Sequence, residues 1–101
     1  MNTDKKHFFL KLIPPRPNFQ TDMTDTEKSI MQNHVGYWKI LLDSGIAIAY
    51  GPVFDPNGGY GVGIISVDNE KQLETLIKND PANGLNHYEF YPMKAVYNQS
   101  Y

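Results

Sequence analysis

A chain of 101 residues with 41% hydrophobic and 20% charged side chains has the size and balance of one folded domain, and two independent cores are not expected. A net charge of −2 excludes the clustered basic footprint that phosphate backbones require, so no nucleic-acid partner is expected. The absence of cysteine excludes disulfides, thiol catalysis and Cys-ligated metal.

Near the start, Lys5-Lys6 precede Phe8-Phe9-Leu10, but Lys11 and Pro14-Pro15 cut the run short. It is too brief for a signal peptide, and no stretch approaches the roughly 20 apolar residues of a membrane helix. The cytoplasm is the expected compartment, with no membrane partner. His7 to Ile13 reads as a strand by its length and its proline stop. Residues 14–23 hold Pro14, Pro15, Pro17, Asn18 and Asp22 without periodicity, the pattern of a loop. Thr24-Asp25-Thr26-Glu27 is a capping box, in which Thr24 accepts from the third amide and Glu27 reaches back. Ile30, Met31, Val35, Trp38, Leu41 and Leu42 then recur at the spacing of one buried helical face, and Gly45 is a left-handed stop. A helix over about 25–44 follows.

Ile46 to Phe54 reads as a second strand with an irregularity at Gly51, and Asp55-Pro56-Asn57-Gly58-Gly59 as a turn. Tyr60 to Val67 resumes the sheet, so residues 46–67 form a hairpin. Asp68 is the expected cap of a shorter helix bearing Leu73, Leu76 and Ile77 on one face. Asn79-Asp80-Pro81 ends it, because the residue before proline is driven out of the helical region. His87 to Val96 is the last strand and Asn98 to Tyr101 a tail.

The order β-α-β-β-α-β, through right-handed crossovers, gives an α+β fold: a ferredoxin-like four-stranded antiparallel sheet with both helices on one face. The other face of such a sheet is often solvated and should then be polar. Here Phe8, Leu10 and Leu12 point one way while Phe9 and Ile13 point the other, and Tyr91 and Met93 oppose Tyr88 and Phe90. Apolar side chains on both faces call for a second cover. A homodimer through the sheet face is the simplest.

The segment His34-Val35-Gly36-Tyr37-Trp38-Lys39-Ile40-Leu41-Leu42-Asp43-Ser44-Gly45, then Gly51-Pro52, then Asn79-Asp80-Pro81, resembles the YCII-related family in order and spacing over about residues 7–96. That resemblance implies a dimeric α+β barrel and a site using the helix histidine and the aspartate before proline, here His34 and Asp80. It also implies small-molecule chemistry of lyase or dehalogenation type. Two segments depart from the pattern: the loop from Pro14 to Met23 is Pro-rich where an Arg-bearing approach to the helix is usual, and Asn83 to Asn86 is short.

On the helix, His34 shares a side with Ile30, Trp38 and Leu41. Histidine is the side chain suited to proton transfer near neutrality, and a carboxylate beside it would fix its tautomer. The competing reading is a core histidine bonded to a backbone carbonyl. Asp80 has its own competing role as an ordinary turn residue. Tyr37, Trp38, Tyr50 and Gly51 are candidate walls of a small-molecule pocket, though aromatic residues more often fill a core or an interface. His7, His34 and His87 lie on separate elements without ligand spacing, so no metal is expected, and His7 and His87 are expected to be exposed. Gly58-Gly59-Tyr60-Gly61-Val62-Gly63 runs from a turn into a strand, not from a strand into a helix, so it is hairpin chemistry and not a phosphate cradle.

Two functions remain: a cofactor-independent enzyme of lyase or isomerase type built on His34 and Asp80, or a non-catalytic metabolite-binding or structural dimer.

Overall fold

The computed structural model describes residues 5–98; all of the expected tail but Asn98 lies outside them. Strands β1 (Lys6–Ile13), β2 (Ala47–Val53), β3 (Tyr60–Val67) and β4 (His87–Met93) form one antiparallel sheet in the order β2-β3-β1-β4. Two main helices, α2 (Asp25–Asp43) and α3 (Glu70–Asn79), connect them, with a single-turn helix α1 (Phe19–Asp22) before α2. This is the ferredoxin-like arrangement that the element order implies.

The core lies between the helices and one sheet face. Phe8, Leu10, Ile65 and Val67 from the two central strands pack against Trp38 and Leu41 of α2 and Leu73 of α3. Leu10, Ile65, Val67 and Leu73 are each 2% exposed or less, and full burial of such side chains contributes about 1.5–3 kcal/mol apiece. Phe90 closes the β4 side with its ring edge-on to Phe8, 5.9 Å between centroids.

Helix α2 starts and stops where its sequence says. The Glu27 amide donates to Thr24 Oγ1 and the Thr24 amide to Glu27 Oε1. At the other end Gly45 takes φ 81°, with its amide on Leu42 O and that of Ile46 on Leu41 O, a Schellman stop. Of the expected apolar face, Trp38 and Leu41 are buried, whereas Val35 (54%) and Leu42 (38%) are exposed. Only Trp38 and Leu41 of the stripe belong to the core.

Other expectations need correction. The Pro-rich segment is not featureless: α1 buries Phe19 (2% exposed). Its Arg16 makes the approach to the helix that seemed missing, bonding Asp22 and gripping Glu27 through both terminal nitrogens at 3.0 and 2.7 Å. That grip, with the Thr24 amide, lowers the Glu27 carboxyl to about 2, so the clamp is intact above the ordinary carboxylate range and fails only as pH falls toward that value.

Helix α3 is capped by Asn69, whose side chain accepts from the Gln72 amide, while Asp68 pairs with Lys5. β4 stops at Met93, whose pairing with His7 is the last of its ladder with β1. The chain beyond is held by the Ala95 amide on His7 Nδ1 and by Tyr97 against the His7 ring, so His7 is half-buried and only His87 is exposed.

The irregularity in β2 falls between Ala47 and Ala49, not at Gly51. Ala47 pairs with Ile65 and Ala49 with Ile64, so β2 carries one extra residue. A bulge of this kind swaps the faces of everything beyond it. Ala47 and Tyr50, of opposite parity, therefore both face the helices. Both edge strands carry a proline, Pro52 and Pro92, a residue that sheets accept at edges with the ring nitrogen turned to solvent.

Gly63, opposite Tyr50, makes room for the indole: a Cβ there would sit 2.6 Å from Trp38 Cη2. Gly63→Ala should therefore destabilise the protein by about 1–3 kcal/mol through overpacking, read from denaturant melts. An unchanged midpoint would mean that Trp38 is free to shift.

Candidate active site

His34 and Trp38 stand one turn apart on α2 and project together toward the sheet. Asp80 reaches them from the end of α3. Its backbone is extended (φ −68°, ψ 128°), as a residue before proline must be, and this turns the side chain back beneath α2. His34 Nδ1 lies 2.9 Å from both Asp80 oxygens. Trp38 Nε1 donates to Oδ2 at 2.8 Å, and the Tyr88 hydroxyl, from β4, donates to the same oxygen. The Ala82 amide donates to Oδ1 at 2.8 Å. Asp80 thus serves as turn residue and as partner of His34 at once.

The carboxylate is wholly buried and the imidazole nearly so, with side chains 0% and 13% exposed. Burial alone would raise the Asp80 pKa, but the bonds from His34, Tyr88 and the Ala82 amide outweigh it, and the net shift is downward. Tyr88 is pushed well above the ordinary phenol range, first by burial and then by its bond to Asp80, so it stays protonated and donates. An ionised carboxylate only accepts. Nδ1 of His34 must then carry the proton, and a neutral ring keeps its lone pair on Nε2, on the opposite side from Asp80.

His34 also lines a cavity of about 280 Å³, just below the roughly 300–1,000 Å³ typical of ligand pockets. Leu10, Leu12 and Gly61 of the sheet form its floor, α2 contributes Met31, His34, Val35 and Trp38, and the loop and α1 contribute Pro14, Phe19, Gln20 and Met23. Tyr50, Gly51, Asn86 and Tyr88 also line it. No Asp, Glu, Lys or Arg is among the described residues on its walls. An apolar enclosure with one basic nitrogen suits abstraction and return of a proton on a neutral small molecule.

Of the residues singled out from the sequence, His34, Asp80, Trp38, Tyr50 and Gly51 converge here. Tyr37 does not. It lies on the α3 side of α2 and donates its hydroxyl to Leu76 O at 2.7 Å. Tyr88, Asn86 and Met31 escaped the sequence reading as site residues. Tyr88 had a signal in the alternation of β4, since it pairs with the inward-facing Leu12. Asn86 and Met31 had none. Among the described residues no cluster of three or more His, Asp or Glu has the disposition of a metal site, and no helix is long and apolar enough to cross a membrane.

Two measurements check the pair. Nitrogen-15 NMR should find Nδ1 as the protonated nitrogen of neutral His34; a proton resting on Nε2 would overturn the assignment of roles. Asp80→Asn, which turns an amide NH₂ toward groups that are themselves donors, should cost on the order of 3 kcal/mol in chemical denaturation.

A family model of the YCII-related domain matches residues 7–96, while no curated protein matches the chain. The matched stretch takes in all four strands but for the first residue of β1, all three helices and every residue of the His34–Asp80 site, and the chain belongs to the YCII-related family.

Proposed function

We propose that the protein is a cofactor-independent enzyme of lyase or isomerase type, acting on a neutral small molecule in the cavity beside His34. The observation that carries this reading is the setting of the imidazole: Nδ1 is fixed on a buried carboxylate and His34 is among the residues that line the cavity, so Nε2 is the ring nitrogen left for a ligand. His34 takes a proton from the substrate at Nε2. The imidazolium so formed is stabilised by Asp80, and the proton is returned to another atom of the substrate or to its leaving group. Asp80 orients and does not itself exchange the proton. Elimination and isomerisation need nothing beyond such transfers, whereas hydride or electron transfer would call for a bound redox group.

Once a turned-over substrate is found by screening neutral carbonyl and aromatic compounds, His34→Ala should lower kcat by roughly 10²–10⁴-fold, with binding of the same compound changed only a few-fold. Retained turnover would remove His34 from the chemistry and leave a metabolite-binding module.

A homodimer through the outer sheet face belongs to the same proposal, as does a cytoplasmic location. The support is the side-chain character of that face. Phe9 lies between Ile64 and Tyr91 in register, with Val62 and Ile13 beside them, and Tyr91 is 52% exposed. Analytical ultracentrifugation should give twice the chain mass for the wild type and the chain mass for Phe9→Glu. A monomeric wild type at micromolar concentration would reject the dimer.

A further inference from the structure

One polar group of the cavity stands apart from the His34–Asp80 pair. Asn86 precedes β4, where its backbone amide bonds Ala82 O, and the residue lines the cavity together with Met31. The residue is only 7% exposed. Its Nδ2 donates to Met31 Sδ at 3.3 Å, while Oδ1 is shut off from solvent with no hydrogen-bond partner among the described residues. A thioether is a weak acceptor, and it fixes the amide so that the stronger of its two functions is the one left over.

Buried acceptors without a donor are rare in native proteins and call for an explanation. A purely structural role supplies none. The turn is already closed by main-chain bonds from Asn83, Leu85 and Asn86, and a leucine would fill an apolar wall without leaving an orphaned oxygen. Met31 is unbranched and adaptable, so the wall at this point can yield to a bound molecule. The other polar residues of the lining besides His34 are Gln20, Tyr50, Tyr60 and Tyr88. Among the described residues of the lining, Asn86 Oδ1 is the buried side-chain atom left without a partner, and so the one with most to gain from a ligand's donor.

We propose that Asn86 is a specificity-determining residue, its side-chain oxygen accepting a hydrogen bond from a hydroxyl or N–H group on a neutral, largely apolar ligand. This rests on the reading of the cavity as a ligand site but not on catalysis. It adds to that reading the chemical class of the ligand: a molecule with a donor on one edge and no ionised group.

The experiment is calorimetric or NMR-detected binding of matched probes that differ in the donor alone, indole against benzothiophene and benzyl alcohol against toluene. Wild type should bind the donor-bearing member of each pair about ten-fold or more tightly. Asn86→Leu should abolish that preference while binding the donor-less members as well as before or better, and should melt no lower than wild type. Asn86→Ala, melted alongside, guards against a packing effect peculiar to leucine and should lose the same preference. Equal affinities within each wild-type pair, or a preference that survives both substitutions, would overturn the role of Asn86 and leave the cavity reading intact. Failure of all four probes to bind wild type would overturn both.

Discussion

A single carboxylate ties the molecule together. Asp80 is drawn on by the imidazole and indole of α2, by the phenol of β4 and by the amide of its own turn. No one of these bonds is unusual. Their convergence on a fully buried charge is, because an ion in such a place is tolerable only when its oxygens are saturated with donors. The consequence is geometric. The end of α3, the middle of α2 and the start of β4 cannot move independently without leaving a buried charge or donor unpaired. The His34 ring is therefore placed by the same bonds that join the two halves of the fold, which is a route to the preorganisation that the proposed proton transfer requires.

The indole is the other half of this arrangement. Trp38 donates to Asp80 while its ring covers the bare backbone of Gly63 and leans on Tyr50, 5.6 Å away. It is thus wall, floor contact and hydrogen-bond donor together. The His34 ring stands 6.2 Å from it, so the imidazole lies beside a buried indole that is itself anchored by packing and by its bond to Asp80.

Much of this was legible in the chain. The capping box at Thr24–Glu27, the glycine stop at Gly45 and the prolines after Ile13 and Asp80 are local signals, and each produced its element boundary in place. The His34–Asp80 pair was readable only through the family pattern, because 46 residues separate its members and no periodicity links them. What escaped was non-local. The face reached by Tyr50 depends on a bulge at Ala47–Ala49 that nothing in Ile-Ala-Ile-Ala-Tyr announces. The end of β4 depends on where its ladder with β1 stops. Arg16 looked like one loop residue among prolines, and only the folded chain brings Asp22 and Glu27 to its guanidinium. Asn86 gave no warning at all, since an unpaired oxygen is a property of surroundings and not of sequence.

The prolines at the two edges have a consequence for the behaviour of the protein in a crowded solution. An exposed strand edge is a template on which another chain can lay down main-chain bonds. Pro52 and Pro92 each delete an outward donor from one of these margins, so neither margin offers an unbroken ladder to a newcomer. Lateral stacking into fibrils is discouraged at both flanks, and the attractive surface that remains is one of side chains, where shape and chemistry can discriminate between a proper companion and a chance collision.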